Sequence, residues 1–545
     1  MSAIFSFLKD KPMILMALLI MSATAIPIAS VNANPTELHV GPGYTYTTIQ
    51  AAIEAAEPGD TIIVHEGTYE EQLFISTPLT LRAAEGETVI IKPPPGTLAT
   101  IDVNYPVPGG SKTRTFAPLI IVMEVTPASS VIIEGLIIDG NYELIDRGYI
   151  GTEDPIYTGI VYVEFNGTIR NCVIRNFRPK PEQTDLFNNG FAIWIVGDSH
   201  VTVEGNDIHD YGWMGIVVDG LATVTIVDNT ITGWGPTIQT GQNGIQVSRG
   251  AYAKILSNLI TGNIYTGEDW WASGVIFLDA TGDVIGNAIV ENQVGVDGMG
   301  DVTGIHVNFN NIYGNTLAGV YNEDTGSLDA KCNWWNDPEG PTVGAPPKSG
   351  DAVYGDVEYS PWLTAPLMAD PDGTGVVASS LSGTDTTLGF SDSNVDVVVS
   401  GSAEVYVATY ESNPGTGFMG DIGNYIDVYV PDVSGLTELE IRKYYTDGEI
   451  EALGLDERGL KLYWWNGTDW VLCSDTGVNM VENYIWARIR TDTTPSLSDL
   501  TGTPFGAASV WPVGGAILPV DLTPYVLMLI LAAGIAGIIL KKTML

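Results

Sequence analysis

An asparagine recurs at the end of a short β-rich run seven times along the middle of the chain, at Asn171, Asn206, Asn229, Asn258, Asn287, Asn310 and Asn333. Subtracting neighbours gives intervals of 35, 23, 29, 29, 23 and 23 residues. Glycines open an apolar run in each unit, at Gly159, Gly190, Gly215, Gly244, Gly274, Gly295 and Gly319. A 23-residue unit without a helical pattern is too short for a strand–helix–strand crossover, so each unit predicts one coil of stacked parallel strands. Longer units must carry their extra residues as loops. An Asn at one corner of every coil predicts a ladder of side-chain amides that also tolerates a left-handed turn, served by the following Gly. Alternation agrees: Ile216 and Val218 face a core and Val217 and Asp219 face outward, as do Gln246 and Ser248 in the next unit.

Before the repeat, 48–57 places Ile49, Ala52, Ile53 and Ala56 on one face of a short helix stopped by Pro58-Gly59-Asp60, which predicts a cap. The ends read as targeting and anchoring segments. Lys9 and Lys11 precede an apolar run, predicting a signal peptide over 1–33. An uncharged stretch over 524–540 followed by Lys541-Lys542 predicts a membrane helix with a cytoplasmic tail, 541–545, and everything before it outside the cell. The fold class expected is therefore all-β: a parallel β-helix over 34–366, a linker over 367–380, a β-sandwich over 381–512, a linker over 513–523 and a C-terminal transmembrane helix. The expected localisation is the cell surface, as a single-pass membrane protein.

The residues carry a resemblance. Thr48-Ile-Gln-Ala-Ala-Ile-Glu-Ala-Ala with Pro58-Gly-Asp-Thr-Ile-Ile-Val-His-Glu-Gly-Thr-Tyr69 resembles the opening of right-handed parallel β-helix proteins of the pectate-lyase-like group. Cys332-Asn-Trp-Trp-Asn-Asp-Pro-Glu-Gly-Pro341, with 350–363, is similar to the terminal coil of surface proteins of the NosD-like family, which typically has Gly where Asn336 stands. The resemblance covers about residues 37 to 366 and implies a fold shared mostly by carbohydrate-handling proteins; it does not imply one reaction. The sequence lacks the Asn-Thr-Asp and Gly-His-Gly pattern of polygalacturonases, the Gly-Xaa-Xaa-Asp-Phe-Ile-Phe-Gly of pectinesterases and the Trp-Ile-Asp-His of pectate lyases. Copper delivery, which the NosD-like resemblance raises, finds no soft-metal cluster: the five His are scattered, and six of 12 Met lie in the two terminal segments.

Asp and Glu outnumber Lys and Arg by 65 to 23, a formal net charge of −42, which repels nucleic acid. Such a surface is able to concentrate calcium, but charge alone assigns no metal site, and no cofactor is implied. Of three cysteines, Cys172 and Cys332 fall six coils apart, about 29 Å at about 4.8 Å per coil, and Cys473 lies in the second module, so no disulfide is expected. In that module Asn466-Gly467 predicts a hairpin turn flanked by Trp464, Trp465 and Trp470, residues that either pack the sandwich or offer a sugar platform.

The long loops between each Asn strand and the next Gly strand hold aromatics interleaved with amides and carboxylates, the combination a glycan groove requires. Trp194, Trp213, Trp234, Gln246, Trp270 and Trp271 are the candidate ligand-binding residues, with a polysaccharide or cell-envelope glycan as the expected partner. The alternative is that these aromatics cover the solenoid flank. For catalysis as a glycoside hydrolase or polysaccharide lyase, Asp210, Asp219 and Arg249 are the first candidates, and Asp297 with Asp301 is a second carboxylate pair. A third reading is an adhesin or envelope scaffold without a glycan ligand.

Overall fold

In the computed structural model, residues 35–123, 130–152, 154–268, 270–344 and 349–509 are described. The repeat folds as expected, each coil contributing one strand to each of three parallel sheets. The first sheet has twelve strands, from Glu37–Val40 to Val357–Glu358, and the second has nine, from Gly67–Glu70 to Asn311–Tyr313. The third has ten parallel strands with the antiparallel Ile101–Val107 added, and its Gly-led strands include Met214–Asp219, Asn243–Ser248, Ser273–Leu278, Val294–Met299 and Ala318–Asn322. Helix α1, Ile49–Ala55, closes the N-terminal end by burying Ile49, Ala52 and Ile53. Inward Ile, Val and Leu side chains of all three sheets form one continuous core.

The corner between the first and second sheets is held by the asparagine ladder. Asn258 shows the pattern: its Oδ1 accepts the backbone N–H and the amide of Asn229, both at 2.9 Å. Its own N–H donates to Asn287 Oδ1, and its Nδ2 donates to the Ile226 and Leu256 carbonyls, each at 2.9 Å. Six asparagines, Asn206 to Asn333, continue the chain. The seventh expected member is corrected: Asn171 stands one residue early, and Cys172 fills the slot, its N–H donating to Asn206 Oδ1 at 2.9 Å. The left-handed residue of the turn is the one before the ladder position, as at Asn171 (φ 53°), Asp228 (φ 55°), Ser257 (φ 50°) and Phe309 (φ 55°). A second ladder, Asn263, Asn292 and Asn315 ending on Asp351, holds the corner between the second and third sheets.

The glycine column answers a different constraint from the expected turn. A Cβ on Gly215, Gly244, Gly274 or Gly295 would lie 2.4–2.8 Å from the carbonyl oxygen of the next coil's glycine, so only glycine allows the coils to approach there.

The C-terminal module is all-β as expected, but it is one nine-stranded antiparallel sheet folded over on itself. The long strand Val395–Thr409 pairs with Leu436–Tyr444 through its first half and with Ile426–Tyr429 through its second, so the two halves enclose a shared core. Trp464 packs at that core with its Nε1 donating to Thr503, while Trp470 stacks on Phe418. Residues of the expected linker pack as well: Leu367 and Asn311 exchange two hydrogen bonds of 3.0 Å. A third apolar cluster joins the β-helix to the module, from Ile285, Phe309, Cys332 and Trp334 on one side to Tyr406, Ala408, Tyr410 and Tyr425 on the other. All three cysteines are free and buried.

The membrane helix of the expected fold class is corrected. No helix among the described residues is long and apolar enough to cross a membrane. Helix α1 and the module's α2, Asp447–Leu453, have seven residues each, about 10 Å against the roughly 30 Å of a hydrocarbon core. The described residues therefore stand as all-β without a spanning helix, and the single-pass surface localisation is without structural support among them. The segments 1–33, 513–523, 524–540 and 541–545 lie outside the described residues.

Two predictions follow from the packing. Asn258→Ala strands the buried N–H of Asn229 and takes one donor from each of the Ile226 and Leu256 carbonyls, and should cost about 2 kcal/mol in denaturant unfolding; a loss below about 1 kcal/mol would show that the ladder is not a principal clamp. Asp427 is fully buried in the module, its Oδ2 accepting from Tyr410 at 2.7 Å and its Oδ1 without a partner. Burial raises its carboxyl from 3.8 to about 7. The folded state therefore holds this proton more tightly than the unfolded chain, and stability should fall as pH rises between those two values. Asp427→Asn should flatten that slope in thermal melts across pH 4–8; an unchanged slope would refute the assignment.

Candidate functional site

The outer face of the third sheet is divided along the solenoid axis. Over its earlier coils it is covered by a hairpin, Ile101–Val107 paired with the start of Gly110–Val122. Val103, Tyr105 and Phe116 from the hairpin bury Val161, Phe191, Trp194, Met214 and Val217. The hairpin is fastened at Asp219, which is fully buried. Its carboxylate receives Tyr105 Oη at 2.6 Å, Arg249 Nε at 2.7 Å and a second bond from the same guanidinium, and Ser248 Oγ at 3.3 Å.

These contacts place most of the expected site residues in packing roles. Asp219 and Arg249 form the clasp just described. Asp210 belongs to a strand of the second sheet, Asp207–Tyr211, and so does not face Asp219. It accepts from Arg178 Nε at 2.6 Å and lies 2.9 Å from His209 Nδ1. The His209 contact, with the Arg178 guanidinium adding to it, holds its carboxyl below the ordinary value despite burial. Trp194 is buried under the hairpin against Phe116 and Phe191, and Trp213 lies beside Phe191. Trp234 stacks on Phe187 with Arg178 over its ring. Gln246 is buried, 3.5 Å from Ser248 Oγ. Trp270, by contrast, is 71% exposed.

Past the hairpin the face opens. Register puts Ile276, Asp297, Tyr321 and Tyr354 in one outward column across successive coils. Trp271, from the loop before Ser273–Leu278, leans over this column with its ring 5.5 Å from that of Tyr321, which lies 5.8 Å from Tyr354. Its Nε1 donates to Asp297 Oδ2 at 2.9 Å, and Ser273 Oγ donates to the same oxygen at 3.3 Å. Glu323, just beyond the strand Ala318–Asn322, is held by its backbone N–H on the Gly298 carbonyl at 2.9 Å. Its carboxyl lies near enough to that of Asp297 for each to alter the other's hold on a proton. Asp297 Oδ1 and Glu323 Oε1 are buried without a hydrogen-bond partner, a need that a proton shared between the two carboxyls would meet.

Burial, above all, raises Asp297 to about 6 and Glu323 to about 7, the latter also through its acidic neighbour. Near neutral pH this pair binds one proton between two carboxylates. The expected partner of Asp297, Asp301, is elsewhere engaged: its Oδ1 caps the Thr303 N–H at 3.0 Å. Among the described residues no group of three or more His, Cys, Asp or Glu is arranged to hold a metal ion. What the open face offers is an aromatic strip beside hydrogen-bonding groups that both donate and accept.

Comparison with known proteins bears on the coil. Residues 123–334 match the family model described as a right handed beta helix region. No curated protein matches the sequence. Similar solved structures include a pectin methylesterase from Aspergillus niger, with 17% identity over 52% of this chain and 84% of that one, and a TM-score of 0.30. Pectate lyase Pel9A shares 11% identity over 62% of this chain and 82% of its own, with a TM-score of 0.31. The Dettilon tailspike protein shares 14% over 83% and 81%, with a TM-score of 0.26. The likeness reaches the stacked coil and stops short of any reaction, and the NosD-like resemblance of 332–341 gains no separate support.

Proposed function

We propose that this right-handed parallel β-helix protein binds a polysaccharide along the open outer face of its third sheet. Trp271, Tyr321 and Tyr354 supply the stacking surface, and the half-buried Glu323, beside the buried Asp297, supplies hydrogen bonds to sugar hydroxyls. The observation that carries this reading is the coincidence of the aromatic strip with a proton-sharing carboxyl pair on the stretch of face that the hairpin leaves uncovered. Sugar rings present apolar faces to aromatics and hydroxyls to such groups.

The geometry favours binding over hydrolysis. Glycosidases hold their two carboxyl groups about 5–5.5 Å apart for retention, or about 6.5–9.5 Å apart for inversion, so that the scissile bond or a water fits between them. Here the Asp297 carboxyl is buried under Trp271 and closed to solvent, so neither a scissile bond nor a water reaches it. The tightened hold on a proton leaves the pair one to donate near neutral pH, which is the feature that supports hydrolase action as a second reading.

Retention on immobilised polysaccharides, with the products sized, tests the proposal. The protein should be held on at least one polymer without shortening it, and Trp271→Ala should weaken retention about tenfold, the loss of one stacked ring. Release of shorter chains would establish the hydrolase reading instead. Equal retention by Trp271→Ala, or none by the wild-type protein, would refute this site.

A further inference from the structure

Among the described residues the charges that act on the carboxyl pair are of one sign: Glu323 is influenced by Asp297 and Asp324. Asp324 itself stays at the site, its Oδ2 accepting the Gly300 N–H at 2.9 Å. Neither member of the pair takes part in an ion pair among the described residues. Arg249, the cation on the neighbouring part of the same face, is spent on the buried Asp219. The partners that do reach Asp297 are neutral donors, Trp271 Nε1 and Ser273 Oγ. A sugar stacked on Trp271 or Tyr321 therefore meets carboxyl groups with no cation among the described residues' contacts with them to receive a carboxylate of its own.

We infer that the site selects polysaccharides of uncharged sugars and rejects uronic-acid chains. The inference rests on the binding reading above and adds to it the class of ligand. Hydroxyls donate well to carboxylate oxygens and accept from a protonated carboxyl, so a neutral sugar suits the half-buried Glu323 and the exposed Asp324 in either state. A uronate carboxylate in the same position would face like charge at close range, with its own hydration lost and nothing returned. The whole molecule, at −42, repels anionic polymers too, but that contribution acts at long range and is screened by salt, whereas contact repulsion in a half-buried site is screened much less.

Retention of the full-length protein on neutral polymers, xylan and a β-glucan, is to be compared with polygalacturonate and alginate. The comparison is made at 0.15 and 0.5 M NaCl, with chelator present so that calcium cannot bridge carboxylates. The neutral polymers should be held at both salts and the uronic polymers at least tenfold more weakly at both. The double substitution Asp297→Asn with Glu323→Gln, isosteric and uncharged, should narrow that gap. Uronic polymers held as tightly as neutral ones, with Trp271→Ala still weakening retention, would overturn the selectivity and leave the site standing. A gap that vanishes at 0.5 M NaCl would assign it to net charge and overturn the inference. Retention of no polymer at all would remove the binding reading, and this inference with it.

Discussion

A buried side-chain amide that substitutes for backbone pairing at a corner is the interaction on which the rest of this molecule depends. Where a parallel coil turns from one sheet to the next, its peptide groups leave the regular ladder and water cannot reach them. Each ladder Asn supplies an acceptor to the coil before it and donors to carbonyls of its own coil and the coil before, so every coil fixes its neighbour's height and rotation. The glycine column then lets the coils close to backbone contact. Together these set a register that does not slip, which is why an outward residue in one coil lies beside the equivalent outward residue in the next.

That register makes a functional face from residues far apart in sequence. Carboxylates on the third sheet's outer face end up in opposite circumstances because of what covers them. Asp219 is closed in by the hairpin, an arginine and a tyrosine, and serves as a fastening; removing one partner of a buried pair of this kind leaves the other charge uncompensated. Asp297, just as buried, lies past the end of the hairpin under Trp271 and beside Glu323, and its carboxyl is raised to about 6. The hairpin is thus what separates the structural half of the face from the half open to a ligand.

Much of the coil was legible because Asn and Gly intervals report stacking directly. The misplacement of Asn171 arose because an Asn at the left-handed position looks, in sequence, like one in the ladder; only the register of 166–170 on 200–204 shows Cys172 in the slot. The second ladder was visible in principle, since Asn263, Asn292 and Asn315 repeat the 29- and 23-residue intervals of Asn258, Asn287 and Asn310. Asp297 was legible as an outward carboxylate, but its partner was not: the 24-residue step from Gly295 to Gly319 carries Asp297 to Tyr321, and Glu323 is two residues further, on the same outward side. The hairpin was illegible, because nothing in 101–116 indicates that it folds across four later coils. That cover is why Trp194, outward by alternation, is buried.

Hydroxyl-radical footprinting of the protein with and without a retained polysaccharide tests the central claim most directly, since it reports which side chains the glycan shields. The account predicts protection of Trp271, Tyr321, Tyr354 and the neighbouring Met299, with Trp465 and the sandwich hairpin unchanged. Protection confined to the sandwich tryptophans, or no change at Trp271 while the glycan is bound, would contradict it.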